Sequence, residues 1–107
     1  MNLPSSVRVF MSTEPTDMRK QMNGLEALVR SGLRRDPRSG EMFVFRSKRG
    51  DMARVLFYDK QGFCLFSKRL DRGVFKSPAS GEGQGIEITA KQLAEFLTGL
   101  ELPHKSA

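Results

Sequence analysis

A short alternation opens the chain: Val7, Arg8, Val9 and Phe10 change character at each step, which predicts a first strand. Thr16 then offers a helix N-cap, with Asp17 in the first turn facing the positive end of the helix dipole. Met18, Met22, Leu25 and Val29 follow at steps of four, three and four, one face of an amphipathic helix, and Leu28 and Leu33 widen the stripe. Burying each contributes about 1.5–3 kcal/mol, on the order of 10 kcal/mol for the face. That outweighs the roughly 1 kcal/mol lost to Gly24 in the helix interior. These methionines are therefore expected in the core, and Gly32 suits the C-terminal end of the helix.

After the polar connection from Arg34 to Gly40 come three β-like runs, Met42 to Arg46, Ala53 to Tyr58 and Phe63 to Lys68. The turns after them carry Gly50, Gly62 and Gly73, spaced by 12 and 11 residues. This is the rhythm of an antiparallel meander in which glycine takes the left-handed turn position. A fourth strand is expected over Gly73 to Lys76. The Gly-, Ser- and Pro-rich stretch from Ser77 to Gly85 predicts a flexible loop. Gly81 to Gly85 has the glycines of a phosphate cradle, but no Lys-Ser/Thr pair follows, so it is a linker.

Ile86-Glu87-Ile88 predicts a short strand, and Thr89 with Gln92 makes a capping box for a second helix. Leu93, Phe96, Leu97 and Leu100 line one side of that helix and Gly99 marks its end. The expected fold is α+β, an antiparallel β-meander sheet packed with two main helices. It forms a single domain over residues 1–107, with an ordered core of about 5–101 and a frayed tail at 102–107.

Composition narrows the chemistry. The single cysteine, Cys64, lies in an apolar run and reads as a small buried hydrophobe. The single histidine, His104, lies in the tail. A zinc site therefore lacks ligands, although sites made of carboxylates alone stay open, and no cofactor is expected. No run approaches the roughly 18 apolar residues of a membrane span, and the polar stretch from Pro4 to Arg8 lacks the apolar core of a signal peptide. A cytoplasmic protein is expected.

Placement of charge changes the picture most. Residues 46–76 hold nine Lys or Arg against three acids, a surplus equal to the net charge of the whole chain, +6. Successive meander turns lie at alternate ends of a sheet. The turns at 48–51 and 71–73 therefore share one end, and the turn at 59–62 lies at the other. Arg46, Lys48, Arg49, Arg54, Lys68, Arg69, Arg72 and Lys76 then gather at one rim with only Asp51 and Asp71. Clustering on one face is the footprint of a polyanion-binding surface, with nucleic acid the leading partner. The alternative is that charged hairpin tips guard the sheet against edge-to-edge association. Arg49-Gly50-Asp51, which spells an adhesion tripeptide, reads here as a tight turn.

Catalysis finds little support. A His-based triad has no credible histidine, Tyr58 sits in an apolar strand, and the acids are scattered singly among bases. A basic β-rich nuclease working with Arg, Lys and Tyr alone would share this composition, but so would a binding protein. The chain is read as a non-enzyme.

The residues also carry a resemblance. Thr16-Asp17-Met18-Arg19-Lys20, Gly24-Leu25, Phe43-Val44-Phe45-Arg46 and Lys48-Arg49-Gly50-Asp51 resemble the TnpB-type accessory protein of the insertion-sequence family 66. The likeness continues through Val55-Leu56, Asp59, Gly62, Cys64-Leu65-Phe66, Lys68-Arg69-Leu70, Gly73 and Phe75, and spans roughly residues 3–100. It implies an accessory protein of bacterial DNA transposition, acting beside a separate transposase, and supplies no catalytic residue. Where relatives often carry tryptophan, this chain has Phe57-Tyr58 and Lys76-Ser77 before Pro78, a loss of aromatic surface that argues against a stacking role near Lys76. Two roles are expected from these readings. One is DNA binding through the basic rim. The other is a protein–protein adaptor that docks the transposase or another accessory protein. No helix-turn-helix or zinc finger is present in the sequence, so DNA contact would be dominated by the backbone.

Overall fold

The structure, a computed structural model, describes residues 6–76 and 85–98. Strand β1 (Val9–Ser12) leads to helix α1 (Met22–Ala27), which widens into a π-type turn over Leu28–Leu33. Strands β2 (Met42–Arg46), β3 (Met52–Tyr58) and β4 (Phe63–Arg69) follow, then β5 (Gly85–Ile88) and helix α2 (Ala90–Thr98). They build one five-stranded sheet in the order β4-β3-β2-β1-β5. The fold is α+β, and β2, β3 and β4 form the antiparallel meander.

The sheet as a whole is mixed, because β1 pairs in parallel with β2, matching Val9 to Met42 and Met11 to Val44. Alternation along a strand says nothing about the direction of its neighbour. The connection through residues 13–41 is long enough for a helical crossover, which a parallel pair requires. β5 pairs antiparallel with β1 on its other side.

A helix covers each face. Phe10, Phe43, Phe45 and Leu56 pack with Leu25 and Val29 of the first helical segment, and Met18, Met22, Leu28 and Leu33 join them. Val9, Met11, Met42, Val44, Ala53, Val55 and Ile88 pack on the opposite side with Leu93 and Phe96 of α2 and with Phe75. The unbroken apolar run Met42-Phe43-Val44-Phe45 follows from this, since β2 is buried on both faces.

Several local expectations are corrected. Thr16 is not a helix cap: its N–H donates to the Arg46 carbonyl at 2.9 Å, and it bridges Ser47 in parallel. Asp17 instead closes a turn, accepting the Arg19 N–H at 2.9 Å on its side chain and the Lys20 N–H at 3.1 Å on its carbonyl. The helix therefore starts only after Gln21, yet Met18 still reaches the same apolar cluster. At its far end Arg34, not Gly32, takes the left-handed conformation (φ 56°), and the Val29 carbonyl accepts the N–H groups of Arg34 and Arg35.

In the β3–β4 turn Lys60 has φ 85°, while Gly50 and Gly73 hold the left-handed positions of the other two. The Asp59 carboxylate accepts the Gln61 N–H at 3.3 Å and the Asp59 N–H donates to the Gly62 carbonyl at 3.1 Å, so the side chain shapes this turn. The expected fourth strand at 73–76 is reduced to a single bridge at Val74. Cys64 is half-exposed on the edge strand β4, where side chains on both faces are only partly covered. The Thr89–Gln92 capping box is present, with bonds of 2.8 and 3.0 Å. The loop at 77–84, with Gly81 and Gly83, lies outside the described residues, as do Gly99, Leu100 and the tail with His104.

An ion pair fastens the end of the first helical segment to the start of β2. Arg35 donates twice to Glu41, at 2.9 Å each, and its guanidinium lies 3.8 Å from the centre of the Phe10 ring. The Arg35 side chain, by its hydrogen bond, holds the Glu41 carboxyl below the usual glutamate range. Its contribution is therefore complete above the unfolded value near 4.3 and is lost as pH falls through the lower folded value. Glu41→Gln should cost about 1 kcal/mol at pH 7 for this partly buried pair. Urea unfolding of both proteins from pH 7 down to pH 3 should show the difference shrinking below about pH 4.

Candidate nucleic-acid interface at the sheet rim

β2 ends at Arg46, and Ser47 organises the turn into β3. Its N–H donates to the Met52 carbonyl at 2.9 Å, and its carbonyl accepts the Gly50 N–H at 3.0 Å. Its hydroxyl accepts the Met52 N–H at 3.0 Å and bonds the Asp51 carboxylate at 3.2 Å. Lys48 and Arg49 project into solvent from this closed turn. The segment after β4 is tied onto the same turn, with the Leu70 N–H on the Asp51 carbonyl (2.8 Å) and the Phe75 N–H on the Gly50 carbonyl (2.7 Å). Arg46 Nε donates to the Phe75 carbonyl at 2.6 Å. Phe75 itself is fully buried, its ring 5.3 Å from that of Phe96, and anchors the segment.

The two basic clusters thus share one end of the sheet, but their side chains divide. Three of the eight candidate bases have intramolecular partners. Arg46 holds Phe75, Arg54 donates to the Lys20 carbonyl at 2.7 Å with its Nε buried and unpartnered, and Lys68 donates to the Leu97 carbonyl at 2.8 Å. Lys68 there sits at the negative end of α2. Lys48, Arg49, Arg69, Arg72 and Lys76 are exposed, and they form the accessible cationic surface.

Beside them opens a cleft of about 560 Å³ that sequence reasoning missed. The 15–18 segment forms one wall, the 47–52 turn another, and Arg69, opposite Met52 on β4, closes a third side. Met18 and Met52 line it, together with Asp17 and Asp51. Asp17 is pulled down to about 2 by its hydrogen bond from the Arg19 side chain. No local signal marked this cleft, because the Thr16–Ser47 bridge that closes it joins residues far apart in sequence.

The opposite end of the sheet carries a smaller group, also unforeseen. Tyr58 and Phe63 meet edge to face at 5.1 Å, and the Arg38 guanidinium lies 5.6 and 5.9 Å from the two ring centres. Nearby, desolvation and the hydrogen bond to Asp59 push the Cys64 thiol up, away from the thiolate a nucleophile needs. Among the described residues no group of three or more His, Cys, Asp or Glu could hold a metal ion, and no helix is long and apolar enough to cross a membrane.

A small three-layer domain with a cationic rim is the class these features define. Over residues 7–107 the chain matches the family described as IS66 Orf2 like protein, and it belongs to that family. Its role is accordingly an accessory one in transposition, and the family is not a known enzyme family. It is 44% identical over 104 residues to the uncharacterized protein y4hO of Sinorhizobium fredii (strain NBRC 101917 / NGR234), covering 95% of this chain and 90% of that one. A second protein of the same strain, the uncharacterized protein y4jC, is 38% identical over 95 residues, covering 89% and 80%. No solved structure matches the chain.

The rim has one backbone position on which the rest of its packing leans. Gly50 has φ 84°, and a Cβ there would lie 2.5 Å from Arg46 Nη2 and 3.3 Å from Val74 Cβ. Gly50→Ala therefore combines left-handed strain of roughly 1–2 kcal/mol with displacement of the arginine that holds Phe75. A drop in the urea midpoint of wild-type against variant protein, larger than that of Gly62→Ala, is the expected result. At Gly62 nothing lies within 4 Å of the added carbon.

Proposed function

We propose that this chain is a DNA-binding accessory factor of transposition, which holds DNA through its rim and assists a separate transposase without itself cutting or joining strands. The observation that carries this reading is that exposed Lys48, Arg49, Arg69, Arg72 and Lys76 come from two sequence segments bound to one another by backbone hydrogen bonds. A like-charged rim costs stability through self-repulsion, and a polyanion relieves that cost. Contact is with phosphates, so it positions DNA and does not read its sequence. A second reading, an adaptor that docks the transposase or another accessory protein, draws on strand β4. This sheet edge is seven residues long and carries half-exposed Phe63, Leu65 and Phe66, the kind of edge that accepts an added strand.

Fluorescence anisotropy of labelled element-end DNA, titrated with salt, separates the two. Neutralising about five phosphates gives a log–log slope of about −4.5, or roughly a 500-fold loss between about 50 and 200 mM salt. Lys48→Glu with Arg49→Glu should flatten that slope by about 2 and weaken every DNA sequence alike. Lys60→Glu, at the opposite end of the sheet, should change affinity far less. Absence of DNA affinity at low salt, beside capture of the purified transposase, would establish the adaptor instead.

A further inference from the structure

We infer that the cleft between the 15–18 segment and the 47–52 turn holds one unstacked nucleotide of a single-stranded DNA end or overhang. This rests on the rim reading and extends it to the form of DNA preferred. Five features of the cleft bear on its occupant. Its volume, about 560 Å³, falls within the roughly 300–1,000 Å³ of small-ligand sites and is far too small for a duplex. Its apolar lining comes from Met18, Met52 and Pro15, and thioethers make favourable contacts with aromatic rings such as a base. Its cations, Lys48, Arg49 and Arg69, belong to the same surface proposed to track phosphates.

The fourth feature is that Asp17 and Asp51 also line it. Carboxylates there oppose an acidic peptide, which carries negative charge along its length. A nucleotide is anionic only at its phosphate and presents N–H donors at the base edge, which a carboxylate accepts. The Asp51 carboxylate accepts the Ser47 hydroxyl at one oxygen, and a carboxylate has about four acceptor sites. The fifth is rigidity. Thr16 and Ser47, which join the two walls where they meet, are both buried and paired by a backbone bridge, so the walls are held together before binding and little ordering is required.

In B-form duplex the bases are stacked inward and cannot enter, so blunt DNA meets only the rim. The test uses two probes of equal phosphate number, a blunt duplex and a duplex with a short thymidine overhang, in the anisotropy assay with full-length protein. The overhang should bind about three- to tenfold more tightly, the range of one sulfur–ring contact. Met18→Ala with Met52→Ala should remove that preference while leaving blunt-duplex affinity and its salt slope unchanged. Should the double variant unfold, Met52→Gln alone, half-exposed at the strand's start, replaces it. Titration with thymidine 5′-monophosphate, followed by amide chemical shifts, should move residues 16–18, 47–52 and 69 and leave 59–62 still. Equal affinity for the two probes, or equal loss on both in the methionine variants, would overturn the cleft while leaving the rim standing. Monophosphate shifts confined to the cleft without any duplex affinity would keep the cleft and overturn the rim. Loss of transposase binding in the methionine variants, with no nucleotide shifts, would make the cleft a protein-docking site and refute the proposal.

Discussion

Burial of β2 on both faces is the constraint from which the rest of this fold follows. Four consecutive residues, Met42 to Phe45, are buried, and no single helix can cover both sides of a strand. The chain meets this by sending residues 13–41 across one face and α2 across the other. The crossover in turn forces β1 to lie parallel to β2, and β5 must return to β1 so that α2 reaches the second face. The two outer strands then become edges, β4 long and half-exposed, β5 short and tied by the Arg8–Glu87 ion pair at 2.9 Å.

The same arrangement fixes the rim. Since β2 is central and its C-terminal end leads into the Ser47 turn, anything fastened to that turn lies at one end of the sheet. Three segments are so fastened: 16–18 through the Arg46 carbonyl, 69–70 through Asp51, and 74–76 through Gly50. The hydrogen bonds are backbone bonds, which any residue types could make. What makes the site distinctive is the residues carried on them, five exposed cations and two half-buried thioethers.

Electrostatics here is divided between folding and display. Arg46, Arg54 and Lys68 commit their donors to backbone carbonyls of Phe75, Lys20 and Leu97, and each joins parts of the chain that no strand ladder connects. A cation that satisfies a buried or helix-terminal carbonyl is worth more to the fold than one in water, since an unpaired carbonyl is costly. Reversal of these three would therefore confound a binding measurement with instability, whereas Lys48 and Arg49 lie outside that framework.

The sequence by itself determined the elements whose signals are local. The capping box at Thr89, the apolar stripe from Met18 to Leu33, and the β2-β3-β4 meander all depend on residues within about a dozen positions of one another. All three are present, although Met18 lies ahead of the helix and the expected fourth strand is a single bridge. The common end of the two basic clusters was legible too, because consecutive hairpins must alternate ends. Tertiary structure alone decided the parallel pairing of β1, the late start of α1, and which cations remain exposed. Thr16 has the chemistry of an N-cap, yet the Arg46 carbonyl offers its N–H a partner 30 positions away, and that bond wins because it also buries Thr16. The cleft follows from the same contact: Met18, which local pattern assigns to core packing, and Met52, which no pattern singled out, line an open site, since only long-range pairing determines which part of an apolar surface is left uncovered.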